Sequence, residues 1–284
     1  MKFLVYCLFQ LIGFAAFSQS TAVSTPKGTL FIIGGGTRSE QLLKNMLELS
    51  KLKPTDHVVV LPMSSAEPDS SFYYFERDLK PLCSNPIAYL NFTNKEVTDK
   101  RWLDSVRNAR LIFITGGDQN RFMKVVLHTP LHTAIMQAYQ AGATIAGTSA
   151  GAAVMSKKMI TGQEHSGDSV ITGSFKKIHY DMVELKEGLG LVDKAIVDQH
   201  FVARSRYNRL LSVLAENPSL TCFGIDEGTA LVIKGTKLTV TGSSQVIRLT
   251  TAAQKYTAPR KNKLVHLSNI RMDIFTQGDQ FLMR

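Results

Sequence analysis

Short, continuous apolar runs recur along the first two thirds of the chain, and most lead into a stretch of helical spacing. The first, Leu30-Phe-Ile-Ile33, enters Gly34-Gly35-Gly36. A helix is then predicted from about Ser39 to Leu52, with Leu42, Leu43, Met46, Leu47 and Leu49 at helical intervals. His57-Val-Val-Val-Leu-Pro62 reads as a second strand, followed by a helix over about 69–82. Pro86 to Phe92 is a third strand. Arg110-Leu-Ile-Phe-Ile-Thr115 is a fourth, ending in Gly116-Gly117-Asp118-Gln119, with helices from there to about Gln140. The run ending at Ala146 makes a fifth. Residues 160–190 lose the pattern and, rich in Gly, Ser, His and Lys, predict a long surface loop. Ala195-Ile-Val-Asp-Gln-His200 then reads as a strand, and the next helix is expected to carry Arg204, Arg206 and Arg209. Thr221-Cys-Phe-Gly-Ile-Asp-Glu227 is a further strand. After Ala230, short alternating strands with turns at Lys234-Gly235 and Thr241-Gly-Ser-Ser predict antiparallel pairing at one sheet edge.

Unbroken apolar strands alternating with helices imply an α/β architecture, a mostly parallel sheet covered on both faces. No linker or internal repeat interrupts it, so residues 19–284 are expected to form a single domain. Residues 1–18 stand apart. Met1-Lys2 is a positive start, Phe3–Phe17 an apolar core too short for a comfortable membrane span, and Ala16-Phe17-Ser18 offers small residues for cleavage. This predicts a signal peptide, an exported protein and no stable membrane anchor. With it removed, Cys83 and Cys222 are left, too few for a disulfide framework. The histidines are scattered and no Cys/His cluster has metal spacing, so no metal is expected.

The formal charge of +10 is unevenly placed. From Lys234 to Arg284, nine Lys/Arg face only Asp273 and Asp279, a balance of +7. Export argues against nucleic acid as the partner, and these basic residues alternate with apolar ones as on solvated strand faces. Gly34–Gly36 lacks the full dinucleotide fingerprint, and no acid clearly ends the next strand, so no nucleotide cofactor is expected.

The chemistry gathers at strand ends. Ala146-Gly-Thr-Ser-Ala-Gly151 has the G-x-S-x-G pattern of a tight strand–turn–helix reversal that lifts a serine hydroxyl from the sheet. At a helix start, the N–H groups of Ser149 and Ala150 are expected to face a developing oxyanion. A serine nucleophile needs a base and a third group to orient that base. His200, at a strand end, is the candidate base, and either Asp226 or Glu227 can orient it. The order Ser…His…acid differs from that of the α/β-hydrolases.

Gly116-Gly-Asp-Gln119, Gly147-Thr-Ser-Ala-Gly-Ala152, Asp198-Gln-His-Phe201 with Arg204, Arg206 and Arg209, and Gly224-Ile-Asp-Glu227 together resemble cyanophycinase. That enzyme belongs to the serine peptidase family that also holds the aspartyl dipeptidases (peptidase E). The similarity runs from about Gly28 to Val232 and includes Gly34–Gly36 and Gly188-Leu-Gly-Leu191. The resemblance implies a flavodoxin-like three-layer sandwich, usually dimeric, without a cofactor. It implies Ser149 as nucleophile, His200 as base and Glu227 as third member, with Gly117 and Ala150 at the oxyanion. It places Asp118, Gln119, Asp198, Gln199, Arg204, Arg206 and Arg209 at the substrate. The implied reaction is cleavage of cyanophycin, an arginine-bearing polyaspartate, at β-aspartyl linkages to release β-Asp-Arg dipeptides. Other aspartyl peptides, or silent binding of acidic peptides, are the alternatives. On a regular helix Arg204 and Arg206 would point to nearly opposite sides, so either one is structural or the helix begins late.

Overall fold

A computed structural model describes residues 26–93, 96–164, 177–252 and 263–283. The leader expected over residues 1–18 lies outside them. The chain opens with β1 (Thr29–Ile33), α1 (Glu40–Ser50), β2 (Val58–Leu61), α2 (Pro68–Leu79) and the short β3 (Ile87–Tyr89). There follow α3 (Lys100–Asn108), β4 (Leu111–Ile114), α4 (Gln119–Val126), α5 (Pro130–Ala141), β5 (Thr144–Thr148) and α6 (Ala150–Ala153). Next come β6 (Lys158–Glu164), β7 (Val183–Glu187), β8 (Ala195–Gln199), α7 (Tyr207–Glu216) and β9 (Thr221–Ile225). The chain ends with β10 (Thr229–Lys234), β11 (Lys237–Gly242), β12 (Val246–Thr251), β13 (Ile270–Phe275) and β14 (Gln280–Leu282).

Local signals explain the boundaries. Ser39 caps α1, its hydroxyl accepting from Leu42 N–H at 3.2 Å, and Asp99 caps α3 through two N–H groups. Pro130 sits in the first turn of α5, where its missing N–H costs nothing, and Gly142 ends that helix at φ 115°.

The main sheet has the order β14-β11-β10-β1-β5-β4-β2-β3. From β1 to β3 every pairing is parallel, while β10, β11 and β14 add an antiparallel edge. Alternation divides the side chains between two cores. Phe31, Ile33, Val58 and Val60 meet α1 and α2, while Leu30, Ile32, Val59 and Ile145 meet α3, α4 and α5. This is the flavodoxin-like three-layer α/β sandwich. Each fully buried Leu, Ile or Phe contributes about 1.5–3 kcal/mol of transfer free energy, so the two cores account for the stacking of layers.

Three expectations need correction. The strands leading to His200 and Glu227 do not join the main sheet. They belong to a second sheet of order β13-β12-β9-β8. One face, with Val197, Phe223 and Val246, joins the main core; the other, with Ile196, Cys222 and Ile247, packs under α7. Within 160–190, expected as a loop, β6 and β7 pair antiparallel, Ile160 opposite Leu185; residues 165–176 of that stretch lie outside the described ones. The helix after His200 begins only at Tyr207, so Arg204 and Arg206 precede it and Arg209 alone is on it.

Candidate active site

Ser149 stands between β5 and α6 at φ 54° and ψ −111°, a conformation costly for any residue with a Cβ. The surroundings over-determine it. Its N–H donates to Ile33 O at 3.1 Å, and its carbonyl accepts from Ala152 and Ala153 N–H at 3.0 and 3.1 Å. The flanking glycines are sterically required. A Cβ at Gly147 would overlap the carbonyl of Gly151, and one at Gly151 would overlap the carbonyl of Ile114. Gly116, at the end of β4, lies beneath the serine, where an added Cβ would stand 3.4 Å from Ser149 Cβ.

His200 follows β8 at φ 49°. Its N–H donates to Gly34 O at 2.6 Å, tying the second sheet to the loop after β1. The imidazole reaches across the joint, with Nε2 2.9 Å from Ser149 Oγ and Nδ1 2.5 Å from Glu227 Oε1. A carboxylate only accepts, so Nδ1 carries the proton and Nε2 is left to accept from the serine hydroxyl. Burial holds the His200 pKa below its ordinary value. The Glu227 hydrogen bond opposes that shift, and the charges of Arg204 and Arg206 reinforce it. The imidazole is therefore neutral at neutral pH, the state in which it can take a proton.

Asp226 and Glu227 diverge after β9. Glu227 goes to His200, whereas Asp226 Oδ1 accepts from Val202 and Ala203 N–H at 3.0 and 2.9 Å and Oδ2 from Ser244 Oγ at 2.6 Å. Asp226 thus fastens the turn that leads from His200 to the arginines.

The oxyanion donors differ in part from expectation. Ser149 N–H is committed to Ile33 and cannot serve. The N–H groups of Gly117 and Ala150 have no acceptor among the described residues; Ala150 directly follows the serine, and Gly117 follows Gly116, which lies against it.

The expected substrate residues divide into two groups. Asp198 and Arg209 form a bidentate ion pair with side chains 0% and 2% exposed, so each satisfies the other and neither faces an open pocket. Gln199 accepts from Arg206 Nη1 at 2.8 Å, and Gln119 Nε2 donates to Ile160 O at 2.9 Å, fastening α4 to β6. All four are buried and tied to other groups of the protein in this structure; it is the family resemblance that places them at the substrate. Asp118 is exposed and caps α4. Arg204 is exposed and has no ion-pair or hydrogen-bond partner for its side chain among the described residues. Arg206 is buried, its Nε without a partner, and its pKa is pushed down to about 10, chiefly by burial and then by Arg209.

Gly35 and Gly36, set aside as a dinucleotide fingerprint and noted only as part of the family resemblance, have a steric role at the site. At φ 115°, Gly35 backs the imidazole so closely that a Cβ would overlap it. At Gly36 a Cβ would stand 2.7 Å from Glu227 Cβ. Three glycines directly after the first strand were the available signal. Among the described residues, no group of three or more His, Cys, Asp or Glu side chains is arranged to hold a metal ion. Among the same residues no helix is long and apolar enough to cross a membrane.

The pattern characteristic of Peptidase family S51 matches residues 30–241, spanning the serine, the histidine and both acids. The chain belongs to peptidase family S51. It is a serine-type peptidase. A cyanophycinase of Nostoc sp. is 30% identical over 278 residues, 93% of this chain and 89% of that protein. A cyanophycinase of Geminocystis herdmanii is 33% identical over 234 residues, covering 80% and 83%. Among solved structures, a peptidase from an acI-B1 Actinobacterium superposes with a TM-score of 0.66 at 20% identity, over 91% of this chain and 98% of that one. A putative peptidase E from Listeria monocytogenes gives 0.54 at 17% identity, over 76% and 99%. At those identities the two structures show that the S51 chain shares their fold.

Proposed function

We propose that the protein is an exported, homodimeric cyanophycinase that hydrolyses arginine-bearing polyaspartate to β-Asp-Arg dipeptides. The observation that carries the reading is the hydrogen-bonded chain Ser149–His200–Glu227 in an S51 peptidase whose relatives at 30–33% identity are cyanophycinases. For β-Asp-Arg to leave intact, its β-aspartyl linkage to arginine must survive, so the bond cut is the backbone amide between successive β-arginylated residues and not, as first expected, the β-aspartyl linkage itself. Ser149 Oγ attacks that carbonyl as its proton passes to His200 Nε2, and Glu227 stabilises the imidazolium through Nδ1–H. The N–H groups of Gly117 and Ala150 meet the oxyanion. On collapse the C–N bond breaks and the leaving amine takes the proton from Nε2. Water, deprotonated by the same imidazole, then releases the acyl group. Arg204, exposed and without a side-chain partner among the described residues, suits the carboxylates of such a substrate, while the buried Arg206 holds Gln199 and Asp198 behind it.

The test is incubation of the purified mature chain with cyanophycin, with β-Asp-Arg and with other aspartyl dipeptides. Soluble β-Asp-Arg from cyanophycin, abolished by Ser149→Ala, is the expected result. Cleavage of dipeptides alone would make it an aspartyl dipeptidase, and no turnover of any of them would overturn the substrate reading. Export is read separately, by an N-terminus near Gln19 in the protein recovered from its host.

A further inference from the structure

The strand β13 ends the smaller sheet, with β12 on one side and no strand on the other among the described residues. Ile270, Met272 and Ile274 project from one of its faces and are 40%, 49% and 56% exposed. In register beside them on β12 stand Leu249, opposite Met272, and Ile247, opposite Ile274. Those two are buried in the core under α7. The apolar layer therefore extends one strand beyond the helix that covers it. A row of large apolar side chains on an open sheet edge is what folded chains ordinarily avoid, unless another strand completes it. The other face of β13 carries Arg271, about half exposed, and Asp273, which accepts from Arg248 of β12 and, at 3.0 Å, from Arg271 of its own strand; pairing with a copy would extend this pair into a four-membered network of alternating charges.

The strand is complementary to itself. Antiparallel pairing with a second copy about a two-fold axis at Met272 sets Met272 against Met272 and Ile270 against Ile274. On the opposite face it sets Arg271 against Asp273 of the copy, twice. Direct cross-strand pairs of these kinds are favourable, and like charges in the same position are not. Moving the axis to residue 271 or 273 would oppose Arg with Arg or Asp with Asp. Moving it by half a step would face charge against apolar side chains. Only the axis at Met272 satisfies both faces, and a two-fold interface requires such self-matching.

We propose that β13 is an interface between two copies of this chain, paired antiparallel about Met272 so that the two four-stranded sheets become one of eight strands. This deepens the homodimeric part of the function proposed above, and its test does not depend on activity. Single cysteines at 270, 272 and 274 are placed in the mature chain, where the native Cys83 and Cys222 are buried. Under mild oxidation Met272→Cys should cross-link to itself, because directly opposed Cβ atoms lie about 4.5–5.5 Å apart. Ile270→Cys should not, because its two copies would stand four residues apart, about 14 Å. A mixture of Ile270→Cys with Ile274→Cys should cross-link. Light scattering on the unmodified chain should give the mass of two copies, and Met272→Lys, which sets two like charges on the axis, should weaken association at least tenfold. A monomeric unmodified chain would overturn the dimer and this interface together. A dimer in which Met272→Cys stays unlinked, or Ile270→Cys links to itself, would overturn the interface alone.

Discussion

Two neighbouring carboxylates do different work because the chain leaves β9 at Ile225 and turns between them, sending their side chains to different partners. Glu227 holds the imidazole, and Asp226 holds the backbone of the turn behind it. Glu227→Gln keeps the shape but removes the charge that stabilises the imidazolium and permits the wrong tautomer. By comparison with the Asp→Asn change in a serine protease, kcat should fall on the order of 10⁴-fold with the fold intact. Asp226→Asn retains an oxygen for the two N–H groups, so kcat should change by no more than about tenfold, the worth of one or two hydrogen bonds. Steady-state kinetics of both variants, with circular dichroism as the folding control, decides it; the reverse ranking would misassign the third member. The arginines make a second residue-scale prediction. The pKa of His200 is depressed, so its active neutral form persists as the pH falls through 6.5, and the acidic limb of kcat/KM lies below that value. Arg204→Ala removes a charge that disfavours the imidazolium; the limb should move to higher pH. An unmoved limb would mean that Arg204 does not act on His200. At this scale Ser149 and His200 were legible in the sequence, from a motif and a strand end. Asp198 and Arg209 were not, because residues eleven apart in sequence give no sign of being locked to each other rather than to a ligand.

Among the elements, the legible ones were those whose periodicity is unmistakable: α1 with its Ser39 cap, and the unbroken strands β1, β2 and β4. Lys100–Asn108 passed unread because only Leu103 and Val106 of that amphipathic segment are buried. The pairing of β6 with β7 was hidden by polar residues and by the glycine at 162, whose φ of 87° accompanies a register shift in the ladder. The late start of α7 follows from Asp226, which takes the N–H groups of Val202 and Ala203 into a turn before a helix can begin. The glycine loop after β1 gives the prediction for this scale. Gly35→Ala adds a methyl group against the imidazole at a backbone conformation unsuited to alanine. Displacing the ring by about 1 Å should lower kcat roughly 10²-fold and cost about 1–2 kcal/mol of stability. Wild-type turnover in that variant would show that the loop does not set the ring.

For the molecule as a whole, the three-layer arrangement could be read from strand after strand of continuous apolar residues, each followed by a helix. Membership of a particular sheet could not. An apolar strand looks alike whether it extends the main sheet or starts another, and nothing in Ala195–Gln199 marks it as the second kind. The division matters because Ser149 belongs to the first sheet and His200 and Glu227 to the second, so turnover monitors a seam. A modest opening of the smaller sheet, well short of general melting, would part nucleophile from base while leaving most of the ellipticity in place. In a urea titration, the loss of hydrolysis should therefore run ahead of the loss of far-ultraviolet signal, and a non-hydrolysable ligand bridging the seam should bring the two curves together. Superimposable curves without ligand would mean that the sheets part only when everything else does. If the curves separate, the enzyme has a built-in point of inactivation that mild denaturant, heat or a wedge-shaped inhibitor can reach without unfolding the protein.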